Sequence, residues 1–343
     1  MTAMVVPARI IQAPMAGAQD TDLAMAATQA GALGSLPAAM LGADALASAL
    51  ARLAAEAGGP CNVNFFCHQL PTPDPAREAA WRTALQGFYD ELGLSPAPAV
   101  AAAAASRQPF NDAMAEVLEA QPPAVVSFHF GLPAPALLAR VKRLGVAVWS
   151  SATTLREALW LQAHGADAVI AQGLQAGGHR GHFLDTVPAL QRPTLALLQQ
   201  LVPALRLPVI AAGGIGTAED VRAAIGLGAA AVQAGTAYLL CPEARISAAH
   251  RAALQDPAAR SVLTNLFTGG LARGLHNRLM QALRPVSALA PAFPAAAAAL
   301  APLRARAEAE GRGDFSPLWA GQGFQACRAL SAAEVTRALA AGL

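Results

Sequence analysis

Lysine is almost missing from this chain. Lys142 stands alone among 24 basic residues, and it falls in a segment that reads as a helix. Schiff-base chemistry of the aldolase kind therefore lacks its amine. The arginine excess follows the bias of an alanine-rich composition and does not mark an arginine-recognition surface. Charge of either sign is scarce as well, with 13% charged residues and a net charge of +2. That balance gives no clustered basic face, which excludes a nucleic-acid partner. The four cysteines, Cys61, Cys67, Cys241 and Cys327, include no C-x-x-C pair. A core of this size needs no disulfides, so they read as small buried residues. Long apolar runs are also absent. The longest, 97–105 and 295–300, are alanine-dominated and bounded by proline or charge, whereas a membrane span takes about 20 strongly apolar residues. The opening MTAMVVPARIIQAPM has no charged segment leading into a continuous apolar one. The expectation is a soluble, cytoplasmic protein without a membrane partner.

What the chain does have is rhythm. Eight short apolar runs end in turn residues: 10–13, 32–36, 61–65, 125–130, 146–150, 168–172, 209–212 and 231–234. Amphipathic segments lie between most of them. Strand and helix in alternation imply parallel pairing through crossover helices, and eight units in roughly 235 residues fit a (β/α)₈ barrel. The rhythm breaks in a Pro- and Ala-rich connection of about 60 residues containing Trp81 and Tyr89. It breaks again from 241 to 316, which reads as helical and irregular without clear strands. The expected organisation is a barrel over 1–240, a smaller, mainly helical domain over its mouth (241–316), and a segment returning to the barrel (317–343). In that last segment Ser331 and Glu334 form a capping-box pattern.

Barrel enzymes place chemistry at the C-terminal ends of their strands, so the residues after each run matter most. The stretch PVIAAGGIGTAEDV carries Gly213, Gly214 and Gly216, then Thr217 as a helix cap. Gln233, Ala234, Gly235 and Thr236 make the second loop, where the last strand ends. Two glycine-rich loops at these places predict a phosphate site, with free N–H groups and the positive end of the following helix facing the anion. Sugar phosphates, nucleotides and flavin mononucleotide (FMN) all suit such a site. The single G-x-G does not make a dinucleotide fingerprint.

A second signal is AQGLQAGGHRGHF. A glycine-flexed loop after Gln172 delivers His179, an imidazole suited to proton transfer near neutral pH. His182 reads as a surface loop residue, and a His179/His182 metal site has only Asp185 as a local third ligand. No metal is expected. His129, in VVSFHFG, is either a satisfied core histidine or a substrate contact. Asn64, in NVNFF, offers its amide to a flavin or base edge. Ser127 has no recognisable base and acid partners.

Taken together, IQAPMAG, NVNFFCH, VVSFHFG, DAVIAQGLQAGGHRG, PVIAAGGI, VQAGTAYL and LWAGQG resemble the nitronate monooxygenase family, formerly the 2-nitropropane dioxygenases. These motifs run from Ile11 to Gly323. The resemblance implies non-covalent FMN in a (β/α)₈ barrel, held by Asn64, Gln172, Gly177, Gly214 and Gln233, Ala234, Gly235 and Thr236. Met15 and Ala16 would lie beside the isoalloxazine. It implies His179 as the catalytic histidine, and His129 together with arginines of the second domain on the substrate. The implied reaction is oxidation of alkyl nitronates such as propionate 3-nitronate by O₂, giving a carbonyl product with nitrite or nitrate. An FMN-dependent NAD(P)H:quinone or enoyl-thioester reductase is the competing reading of the same scaffold. A phosphate- or flavin-binding protein without turnover is a third. The chain departs from the family at 269–274, which reads GGLARG, and at FPAAAAALAPLRARA, where tyrosines and a lysine are usual. The flavin side is therefore more secure than the substrate side.

Overall fold

The computed structural model describes residues 5–95, 107–185 and 187–343. The alanine run at 97–105 and the first four residues of the opening segment lie outside them. Eight parallel strands form one sheet: β1 (Ile10–Gln12), β2 (Gly34–Pro37), β3 (Cys61–Phe66), β4 (Val125–His129), β5 (Ala147–Ala152), β6 (Ala168–Gln172), β8 (Val209–Ala212) and β9 (Ala231–Ala234). The intervening β7 (Gly178–His179) belongs to a second sheet. β1 pairs with β9, and Gln12 N–H donates to Leu33 O at 3.0 Å while Leu33 N–H donates to Ile10 O at 2.9 Å, joining the sheet's two edges. Each predicted apolar run coincides with a barrel strand.

Apolar side chains on both faces of these strands explain the closure. Inside, Ile11, Leu33, Trp149, Ile170 and Ile210 form one cluster, with Val5, Val6 and Ala8 packed against it. The Trp149 indole donates to Val5 O at 2.9 Å. One end of the barrel is thereby plugged, leaving the end where the strands finish to hold a cavity. Outside, helices cover the strands. Among them are α1 (Thr21–Gln29), α2 (Ala43–Glu56), α4 (Asp112–Ala120), α5 (Pro135–Arg143), α6 (Leu155–Ala163), α7 (Thr194–Ala204) and α8 (Ala218–Gly226). The C-terminal α12 (Ala332–Ala340) packs against α1 and α8, and Thr336 Oγ1 lies 2.9 Å from the buried Tyr238 hydroxyl. No described helix is long and apolar enough to cross a membrane.

A separate apolar cluster sits beyond the barrel mouth. α3 (Pro75–Glu91), from the long β3–β4 connection, packs against α11 (Ala296–Ala309). Trp81 and Tyr89 donate to the carbonyls of Ala296 and Ala299 at 3.2 and 2.5 Å. The same cluster takes in Leu266, Phe267, Leu279, Met280 and Phe315, which draws in α10 (Arg278–Leu283). The stretch from 241 to 316 also holds α9 (Ala248–Gln255), and it is not free of strands. β10 (Ser261–Thr264) and β11 (Ala272–Leu275) pair antiparallel, and β11 pairs with β7. These strands are short, and β11 reads ARGL, so neither shows the alternating pattern that marks a strand in sequence.

Candidate active site

A cavity of about 630 Å³ opens at the C-terminal ends of the barrel strands. Its first wall is backbone. Gly213 (φ 109°) and Gly214 (φ 74°) occupy the left-handed region that favours glycine. A Cβ on Gly213 would stand 2.7 Å from Ala176 N, and one on Gly177 would stand 2.6 Å from Gly321 N. The AGGHRG and LWAGQG motifs thus mesh through bare backbone. The N–H groups of Gly214 and Ile215 have no hydrogen-bond acceptor among the described residues. Gln233 lines the cavity, and its buried Oε1 has no partner among the described residues. Thr236 Oγ1 accepts from Gly321 N–H at 3.0 Å, leaving its hydroxyl hydrogen for another acceptor.

Two expectations about this wall need correction. Ala234 does not line the cavity. Side chains alternate along β9, so Gln233 points in while Ala234 joins the cluster beneath the helices. Nor is the N-terminus of α8 open to an anion. Asp220 Oδ2 accepts from Gly216 N–H (3.0 Å), Thr217 N–H (2.9 Å) and the Thr217 hydroxyl (2.8 Å). This capping box uses the helix's own carboxylate where a phosphate was expected.

Asn64, Met15, Ala16, Gln172, Gly177 and Gly235 all line the cavity, as do His129 and His179. The Asn64 amide donates to Ser127 Oγ at 2.9 Å, which gives Ser127 a supporting place. Gln172 reaches across the histidine loop: its Nε2 donates to His179 O (2.9 Å) and its Oε1 accepts from Gly181 N–H (2.7 Å). The fully buried Arg180 donates to Gln191 Oε1 and to the carbonyls of Gly173 and Gln172, each at 2.8 Å. Burial pulls its guanidinium down to about 9. At the far end of the loop, buried Glu157 accepts from the N–H groups of Phe183 (2.6 Å) and Leu184 (3.1 Å) and from Thr153. Local bonding therefore fixes the loop on both sides of His179.

The second wall is aromatic and cationic. The His179 ring packs against Phe66, Phe130, Phe293 and Trp319 at centroid distances of 5.0–6.3 Å. Phe130 takes φ 69°, rare for a bulky side chain. Burial pushes His179 down to about 3, and the charges of Arg107, His129 and His68 add to the effect. The imidazole is therefore held neutral at pH 7. Its Nε2 lies 2.9 Å from Thr268 Oγ1. His129, pushed by burial to about 4, spends both nitrogens on the protein, Nε2 on His179 O (3.1 Å) and Nδ1 on Ser151 Oγ (2.7 Å). Its ring faces the cavity with no nitrogen left for a ligand, so it supports His179.

Arg107 and Arg304 also line the cavity. Arg304 pairs with Glu308 at 2.8 Å. No hydrogen bond or carboxylate partner engages the Arg107 guanidinium among the described residues, and burial with the charge of Arg304 lowers its pKa. An unpaired, half-buried guanidinium in a cleft favours an anionic guest. Sequence reading missed Arg107, which follows an alanine run with no motif around it. It also missed Phe66, Phe130, Phe293, Trp319 and Thr268, which converge from distant parts of the chain. Among the described residues no cluster of three or more His, Cys, Asp or Glu suits a metal, and the four cysteines are free.

Known proteins are similar to this chain in sequence and fold. The family model described as nitronate monooxygenase matches residues 1–342. A nitronate monooxygenase of Pseudomonas aeruginosa is 42% identical over 332 residues, covering 96% of this chain and 94% of the relative. One from Paraburkholderia phytofirmans is 39% identical, covering 96% and 90%. The crystal structure of nitroalkane oxidase from Streptomyces ansochromogenes superposes with a TM-score of 0.89 at 37% identity, covering 98% of this chain and 96% of that one. FabK from Thermotoga maritima shares the fold, with a TM-score of 0.70 at 23% identity over 98% of this chain and 92% of its own. A family match over nearly the whole length, together with these relatives, establishes that the chain belongs to the nitronate monooxygenase family of oxidoreductases.

Proposed function

We propose that the protein is an FMN-dependent nitronate monooxygenase acting on alkyl nitronates that carry a second anionic group, propionate 3-nitronate among them. The observation that carries this reading is the pairing of a neutral His179 in an aromatic box with the unpartnered Arg107 across one cavity. Such a wall suits a small oxyanion and shields its reacting carbon from water.

The residues present fit FMN. The unpaired N–H groups of Gly214 and Ile215 and the free hydroxyl hydrogen of Thr236 are donors suited to a phosphate, and the orphaned Gln233 Oε1 is an acceptor suited to an N–H of the flavin ring. Gly177, Gly213 and Gly235 hold backbone open there, while Asn64, Gln172, Met15 and Ala16 face the barrel axis. When bound, FMN would accept electrons from the nitronate and pass them to O₂. The chain's own contribution is to bind and orient. Arg107 and Arg304 hold the distal anion, and His179 stands beside the nitronate group as the catalytic histidine. Phe66, Phe130, Phe293 and Trp319 exclude water. A nitronate has already lost its α-proton. A nitroalkane must still give one up, and an imidazole whose conjugate acid lies near 3 takes it poorly. Nitronates therefore turn over faster than their parent nitroalkanes. We assign residues 241–316 together with α3 as the substrate-side cover, and the barrel with residues 317–343 as the FMN side.

Anaerobic mixing of the FMN-loaded protein with propionate 3-nitronate, and separately with NADH, tests this. Loss of oxidised-flavin absorbance with nitronate and none with NADH supports the reading, and His179→Asn then abolishes turnover while retaining flavin. Bleaching by NADH with indifference to nitronate moves the protein to the reductases. Failure to take up FMN on reconstitution would end both.

A further inference from the structure

The two histidines of the site face partners of different kinds. His129 Nε2 faces a carbonyl, His179 O, at 3.1 Å. A carbonyl only accepts, so Nε2 carries the hydrogen and Nδ1 accepts from Ser151. His179 Nε2 instead faces a hydroxyl, Thr268 Oγ1, at 2.9 Å, and a hydroxyl donates or accepts.

The surroundings of Thr268 leave its hydroxyl one acceptor. Thr268 is 2% exposed, and its hydroxyl has no other partner among the described residues. Buried hydroxyl hydrogens are placed on an acceptor when one is in reach, and the acceptor in reach here is the Nε2 lone pair. Thr268 is also held in place. A Cβ on the adjoining Gly269, at φ 88°, would lie 1.9 Å from Pro291 O, and Gly269 N–H donates to Asn265 O at 2.8 Å. Three residues further on, Ala272 pairs with His179 itself across β11 and β7. The imidazole thus sits on β7, and the hydroxyl in the turn joining β10 to β11 of the same small sheet.

We propose that Thr268 donates to His179 Nε2 and fixes His179 as the Nδ1–H tautomer. Nδ1 has no protein partner among the described residues, so it presents a hydrogen-bond donor, rather than a lone pair, to the guest. A donor suits the oxygens of a nitronate anion, whereas a C–H proton needs a lone pair to receive it. Thr268 is a positioning residue, acting through His179. The catalytic consequence rests on the nitronate reading above, while the tautomer itself does not.

The test uses the full-length protein with ¹⁵N-labelled histidine and long-range ¹H–¹⁵N correlation at neutral pH. His179 is assigned by its disappearance in His179→Asn. The expected spectrum shows a protonated Nδ1 and an unprotonated Nε2, retained in Thr268→Ser and lost in Thr268→Val. In turnover, Thr268→Val lowers kcat/KM for nitronate by about tenfold, mainly in kcat, and Thr268→Ser recovers most of it. The ratio of nitroalkane to nitronate turnover rises in Thr268→Val. A protonated Nε2 in the unmutated protein, or an unchanged tautomer in Thr268→Val, overturns the proposal. The spectrum of the unmutated protein decides it even if the valine variant does not fold. Absence of nitronate turnover combined with the expected spectrum would instead overturn the functional reading alone.

Discussion

The two walls of the cavity are made of different material. One is glycine backbone from loops next to each other in the barrel, with the N–H groups of Gly214 and Ile215 and the Gln233 Oε1 left unpaired among the described residues. The other is assembled from side chains of β3, β4, the β7 loop, Arg107, the Phe293 loop, α11 and the Trp319 segment. The first wall depends on the absence of side chains, so nearly any addition fills it. The second depends on several side chains converging from a distance, so its identity can shift while the barrel stays intact. On the proposed reading this difference separates cofactor from substrate, the cofactor being served by backbone and the substrate by side chains.

The largest break in that comparison is expected at Gly213. Gly213→Ala places a Cβ 2.7 Å from Ala176 N at φ 109°. The combined strain and overlap should cost about 2–4 kcal/mol of stability and abolish FMN retention, measured by thermal melting and by flavin content after gel filtration. Flavin retained at the ordinary ratio would show that this wall does not hold the cofactor. A smaller and more selective effect is expected across the cavity. Arg107→Met should raise KM for propionate 3-nitronate by about 10–100-fold, while leaving FMN content and turnover of an alkyl nitronate without the distal carboxylate near their starting values. An equal loss on both substrates would remove Arg107 from the anion site.

The mildest effect concerns acid. His179, His129 and His250 are held by burial near 3, 4 and 4, below the ordinary 6.5. The unfolded chain therefore binds more protons than the native one between about 4 and 6.5. Stability from keeping these rings neutral is fully present above 6.5 and is lost as pH falls through that window. The urea midpoint should drop steadily from pH 7 to 4, and His129→Asn should flatten the slope. A midpoint independent of pH over this range would contradict the buried, neutral state of the histidine wall.

Much of the first wall was legible because it is local. Glycines at 213, 214 and 235 follow apolar runs directly, and a strand-then-glycine pattern says where backbone must come close to something. His179 was legible for the same reason, flanked by Gly177 and Gly178 at the end of a run. Misreadings arose where a local pattern had two uses. Thr217 and Asp220 signal a capped helix start, and in this fold the cap replaces the anion. Ala234 sits in the right loop but on the wrong face of its strand. His129 reads as a ligand or a core residue, and its nitrogens are taken by a carbonyl and a hydroxyl from other strands.

The sequence by itself determined the barrel, because eight apolar runs buried on both faces have few ways to close. It also determined the place of His179 and the glycine cradle, whose conformations are set by neighbours along the chain. Tertiary structure alone decided which side chains face the guest. Arg107 meets Arg304, and Thr268 meets His179, across 197 and 89 positions of chain. No spacing rule reaches that far. Those meetings are fixed by how α3, α11 and the β10–β11 hairpin pack over the barrel mouth, where burial keeps His179 neutral and Arg107 meets no carboxylate among the described residues.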